Sequence, residues 1–179
     1  MRRLLLPLLV SCSLFGYTPT QELDFQVQRL AASFISNFPA YVTWPPIVFA
    51  GHPSELYIGF IGEDPLGSAG RQYLVGRGWG GKQYVLEMLH PGAYSREDLK
   101  RYQMLIFGNL TEKELKALLK LVANEPVLTI GETPGFIENG GIVELHIQGT
   151  AVTWTVSMAH ARRAGLVIDQ RLVTYGMSM

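Results

Sequence analysis

From residue 22 to residue 44, apolar side chains return at spacings of three and four: Leu23, Val27, Leu30, Phe34, Phe38 and Tyr41. That period draws one face of an amphipathic helix. Pro39 predicts a kink or an end near Asn37, and Pro45-Pro46 closes the segment. The stripe is expected to face the core. Its aromatic members, with Trp44 just beyond, are also the first candidates for a partner or dimer contact.

The pattern then changes to short apolar runs. Leu56 to Gly62, Gln83 to Leu89, Met104 to Gly108 and Val127 to Gly131 each have the length and continuity of a buried strand. Between them, Ser68 to Leu74 predicts a short helix, and Thr111 with Glu114 forms a capping box ahead of the Leu115, Leu118, Leu119 and Val122 face. From Ile142 to Gln148 apolar and polar residues alternate, and they alternate again over Val152, Trp154 and Val156. Two alternating runs around Gly149-Thr150 predict an antiparallel hairpin with one wet face. Ser157 to Ala164 reads as a helix with Gly165 at C′, whereas residues 166–173 fit strand or helix equally. The expected fold is α/β: one small domain with a mixed, largely parallel sheet, flanking helices and a C-terminal antiparallel hairpin.

The N-terminus is of a different kind. Met1-Arg2-Arg3 precedes Leu4 to Val10, an apolar run too short to span a bilayer but suited to a secretion signal. Leu9-Val10-Ser11-Cys12 is similar to a lipobox, which makes Cys12 a lipidation candidate; ordinary cleavage near Ser11 or Ser13 is the alternative. Residues 1–12 are therefore read as the signal, 13–21 as a tether and 22–176 as the domain. The expected location is the periplasm, soluble or lipid-anchored, with the outer membrane favoured if Cys12 is lipidated. Membrane contact is expected only through that anchor.

Apolar residues make up 47% of the 179 and charged residues 17%, a globular balance that excludes disorder. Formal charge is zero, and no basic stripe exists to track a phosphate backbone, so nucleic acid is not an expected partner. The one cysteine lies in the leader, which leaves the domain without a disulfide or a thiolate site. Gly76 to Gly81 contains G-x-G-x-x-G, but a strand follows it where a dinucleotide site needs a helix. None of His52, His90, His146 and His160 has metal-ligand spacing; only His146, near Glu144, draws interest. Glu63-Asp64 reads first as a turn, and no nucleophile elbow exists. No catalytic residue, metal site or cofactor is expected.

The least ordinary segment is residues 131–141, where Gly135, Gly140, Gly141, Asn139 and Phe136 follow the end of a strand. That edge of an α/β sheet is where ligands and partners bind. Two readings stay open: an exposed Phe136 that makes contact, or glycines that serve positive φ while Phe136 enters the core.

Several of these segments together resemble the YfiR-like family of small periplasmic repressors. Asn37-Phe38-Pro39-Ala40-Tyr41-Val42-Thr43-Trp44-Pro45 is similar to its N-F-x-x-F/Y-V-x-W-P stretch, and Ile61 to Pro65 to its Gly-Asp/Glu-Asp-Pro strand end. Leu128 to Ile142 matches L-T-I-G-(D/E)-x-x-G-F-x-x-x-G-G-x-I, and Ala164-Gly165-Leu166 matches the final A-G-L. The family's F-E-I-N strand departs here to Trp154-Thr155-Val156-Ser157, and the cysteines of some members are missing, so no redox switch carries over. The resemblance implies a periplasmic homodimer that binds the sensor domain of an inner-membrane diguanylate cyclase, or of a histidine kinase, and holds it inactive. Cyclic-di-GMP and biofilm formation would fall. A small-ligand receptor and a structural envelope lipoprotein are the rival readings.

Overall fold

The computed structural model describes residues 19–63, 66–89, 92 and 94–177. Cys12, Asp64, Pro65 and His90 lie outside them.

The first helix, α1 (Pro19–Asn37), begins inside the segment read as a tether and ends where Pro39 predicts. A 3-10 turn over Phe38–Tyr41 leads into the two-residue strand β1 (Val42–Thr43), and a second, Pro46–Phe49, precedes β2 (Glu55–Ile61). Next come α2 (Gly67–Leu74), β3 (Gly78–Trp79), β4 (Lys82–Leu89) and α3 (Arg96–Leu99). Then follow β5 (Met104–Phe107), α4 (Glu112–Val122) and β6 (Leu128–Gly131). The predicted hairpin is β7 (Val143–Gln148) with β8 (Ala151–Val156), and α5 (Met158–Arg163) follows with Gly165 at φ 74° behind it. The undecided stretch contains both kinds of structure: β9 (Val167–Ile168), then α6 (Gln170–Met177).

Seven strands form the main sheet in the order β3-β4-β2-β5-β6-β7-β8. The five from β4 to β7 run parallel, and β3 and β8 are antiparallel at the two edges. A separate antiparallel pair joins β1 to β9. The chain moves from β2 to β4 over one face through α2, then returns past β2 to β5 over the other through α3. Direction and face reverse together, as a constant crossover hand requires.

Strand alternation assigns the two faces. Ile58, Phe60, Met104, Ile106, Leu128 and Ile130 point towards α1 and α2 in the larger core. Ile61, Leu105 and Phe107 point towards α3 and α4 in the smaller one. Helix α1 meets the sheet differently from the stripe prediction. Ala31, Ala32 and Ile35 are its buried residues, with Phe38 buried just beyond its end, whereas Leu23 and Leu30 are exposed. The reason is α2: a Cβ on Gly70 would stand 3.0 Å from the Gln28 carbonyl and 3.5 Å from Ala32. Small residues let the helices approach closely, which turns α1 towards its alanines and its longer apolar side chains outwards.

Candidate functional site

The first place to look in a doubly wound sheet is the crevice where the strand order reverses, here beyond the carboxyl ends of β2 and β5. That crevice is stitched shut. Gly108 N–H donates to the Ile61 carbonyl at 2.8 Å, and Asn109 N–H to the Glu63 carbonyl at 3.1 Å. A Cβ on Gly108 would fall 1.2 Å from the Glu63 oxygen, so only glycine permits the contact. The Glu63 carboxylate accepts from Asn109 Nδ2 at 3.3 Å. The G-x-G-x-x-G run is equally structural: Gly80 (φ 57°) and Gly81 (φ 80°) make the two-residue turn between β3 and β4.

The 131–141 loop takes the buried alternative. Phe136 has 0% exposure and lies 5.6 Å from the Phe107 ring in the smaller core. It occupies the place a crossover helix would fill between β6 and β7. Its ring is clamped by two glycines, since a Cβ would come within 2.5 Å of it from Gly131 and within 2.1 Å from Gly141. Gly135 (φ 79°) and Gly140 (φ 106°) bend the chain around it, and Asn139 Nδ2 donates to the Gly135 carbonyl at 2.9 Å. Three side chains pin the outside. The buried Glu144 carboxylate accepts from Gly135 N–H at 3.3 Å and Ile137 N–H at 3.1 Å. Thr129 Oγ1 accepts from Ile142 N–H, and His160 Nδ1 donates to the Gly141 carbonyl, both at 2.9 Å. Phe136 is therefore no contact residue. The loop's donors face its own carboxylate, and Glu144 departs from the wet face expected of the hairpin for that reason.

The four aromatics at the end of α1 divide. Trp44 is buried beside Phe49 and Trp79 and donates its Nε1–H to the Gln103 carbonyl at 3.2 Å. Phe34, Phe38 and Tyr41 gather on the opposite side around Trp154, with ring centroids 5.1 Å and 5.2 Å from it for Phe34 and Phe38. Tyr41 meets Tyr175 of α6 edge-on at 5.8 Å. Trp154 is itself fixed by an Nε1–H bond of 2.8 Å to the Leu172 carbonyl. Together these residues line an open, mostly apolar groove of about 250 Å³. Tyr175 is 46% exposed at its mouth, and the Arg171 guanidinium lies 5.5 Å over the Tyr41 ring. Asp169 holds Arg171 in place, and that ion pair lowers the Asp169 carboxyl to about 2.

Sequence reasoning found half of this groove and missed the rest. Tyr175 lies past the undecided stretch with no element assigned to it, yet α6 returns it to Tyr41 beyond the end of α1. Trp154 shows only as an inward residue of a strand. The usable signal was Leu172 to Tyr175, an apolar and an aromatic residue three apart, which is helical spacing.

Among the described residues no cluster of three or more His, Cys, Asp or Glu could hold a metal, and no helix is long and apolar enough to cross a membrane. His146 turns to Thr155, its Nε2 lying 2.9 Å from Oγ1. A stitched crevice, a packed glycine loop and an open aromatic groove define this small α/β domain. The YfiR/HmsC-like family model matches residues 28–176, and the chain belongs to that family. The family is periplasmic and is known for regulation rather than catalysis. No curated protein matches the sequence.

Proposed function

We propose that this protein is a non-catalytic periplasmic regulator that docks on the sensor domain of an inner-membrane signalling enzyme and holds it inactive. A diguanylate cyclase is the first target and a histidine kinase the second. The family match over residues 28–176 carries this reading. The Arg-rich, aliphatic leader supports export, and Cys12 is proposed as a lipid anchor; labelling with palmitate that disappears in Cys12→Ala tests the latter.

The aromatic groove is the proposed docking point. Its volume of about 250 Å³ falls below the usual range for small-molecule sites, roughly 300–1,000 Å³, and suits one bulky side chain of a partner. Aromatic residues with an arginine at the rim are the composition of binding hot spots. Inhibition follows if the regulator binds the resting sensor better than the active one, because the shift in population cannot exceed that difference in affinity. Tyr41→Ala combined with Tyr175→Ala should weaken capture of the sensor by about tenfold or more. In cells, deletion should raise cyclic-di-GMP, and the wild-type gene should restore it where the double variant does not. Unchanged cyclic-di-GMP after deletion, with no membrane sensor recovered by the wild-type protein, would overturn the proposal.

A further inference from the structure

The two edges of the main sheet are finished differently. At β8, Ser157 N–H donates to the Ile142 carbonyl at 2.8 Å, so residues 151, 153 and 155 also turn towards β7. The outward groups belong to Val152, Trp154 and Val156. Helix α6 lies against them: a Cβ on Gly176 would stand 2.3 Å from the Trp154 carbonyl oxygen. That edge is covered.

At the other edge β3 covers only the beginning of β4. Gln83 N–H donates to the Ser54 carbonyl at 2.8 Å, towards β2, and Tyr84 N–H donates to the Arg77 carbonyl at 2.9 Å, away from it. Odd-numbered residues of β4 therefore serve the ladder with β2, which runs to the pair Ile61 and Leu89. Even-numbered residues face out. Beyond Tyr84, the N–H and C=O of Leu86 and Met88 point away from β2 on the side where, among the described residues, only β3 pairs, at Gly78–Gln83 and Trp79–Lys82. Residues 85–89 contain no proline and no lysine, the usual protections of an open edge. Met88 is 39% exposed and Val75, just past the end of α2, is 68% exposed, and both line an apolar groove of about 340 Å³ beside the edge.

We propose that this edge pairs with the same edge of a second copy of the chain, antiparallel about Glu87, so that two sheets become one. A two-fold axis at Glu87 sets Leu86 opposite Met88 of the other copy, and Met88 opposite Leu86. Both outward residues of each strand then exchange two hydrogen bonds, whereas a centre at Leu86 would call on Tyr84 N–H, which is already used. On the α2 face the two apolar grooves merge. On the α3 face the charges complement each other. Glu87 would meet its own copy, but each Glu87 carboxylate already accepts from Arg101 and from the Tyr102 hydroxyl. The axis therefore assembles two carboxylates with two guanidinium groups.

The proposal goes with the homodimer that the resemblance implies and is independent of which sensor is bound. Sedimentation equilibrium of the mature protein at micromolar concentration tests it. The wild type should show twice the chain mass. Met88→Pro should show the chain mass with unchanged circular dichroism, because the N–H it removes takes no part in the ladder with β2. Met88→Lys, which leaves the backbone intact, should shift the equilibrium the same way. A monomeric wild type overturns the proposal together with the implied dimer. A dimeric wild type with both folded variants still dimeric overturns the interface alone. Sensor capture by the Tyr41/Tyr175 variant is read separately, so failure of docking and failure of dimerisation are distinguishable.

Discussion

Single residues decide how the polar groups of this core behave. Tyr84 is buried on β4, and its hydroxyl donates to the Ser36 carbonyl of α1 at 2.7 Å. Burial pushes its phenol up to about 12, and Arg77 offsets only part of that. Burial together with a hydrogen bond to Glu87 raises Tyr102 to about 12 as well. The folded state thus keeps protons that the unfolded chain releases near pH 10. Their contribution is complete below about pH 10 and is lost as pH rises towards 12. Urea midpoints should therefore fall steeply over that window. Tyr84→Phe should flatten the fall while costing about 1 kcal/mol at neutral pH for the lost bond; an unchanged alkaline slope would refute the assignment. Residue-scale detail was partly legible. The glycines of 131–141 announced a special backbone, but their purpose, room for the Phe136 ring, depends on a core that only the fold brings together.

Elements were the most legible scale, because each carries its own period and punctuation. Helix α4 shows this most clearly. Thr111 Oγ1 accepts from Glu114 N–H at 3.3 Å, and the Glu114 carboxylate accepts from Thr111 N–H at 3.0 Å. Thr111→Ala should cost about 1 kcal/mol by chemical denaturation, and Thr111→Asn much less. The same signature, Ser95 with Asp98, opens the four-residue α3 and went unread because no apolar period follows so short a helix. The stripe of α1 misled for a related reason. Periodicity identifies a face but not the neighbour's demands, and Gly70 of α2 takes Ala32 against it while Leu30 stays exposed. Residues 166–173 resisted assignment since they hold two short elements, each of which docks elsewhere: Ile168 on Val42, and α6 on β8.

At the scale of the molecule, alternating strands and helices implied the parallel sheet and its hairpin. The stitched crevice had no local sign, because Gly108 looks like any glycine after a strand until the Glu63 carbonyl arrives beside it. The groove stayed half hidden because its walls come from opposite ends of the chain. The contrast between the edges carries a further implication. Growth of a fibre by strand addition needs two sticky ends per subunit, and here α6 blunts one of them with Gly176. Assembly through β4 must therefore stop at two copies. Removing residues 170–177 would supply the second end, and dimers should then polymerise, scattering light in proportion to concentration. A truncated protein that stays dimeric and clear would show that the last helix is not what limits association.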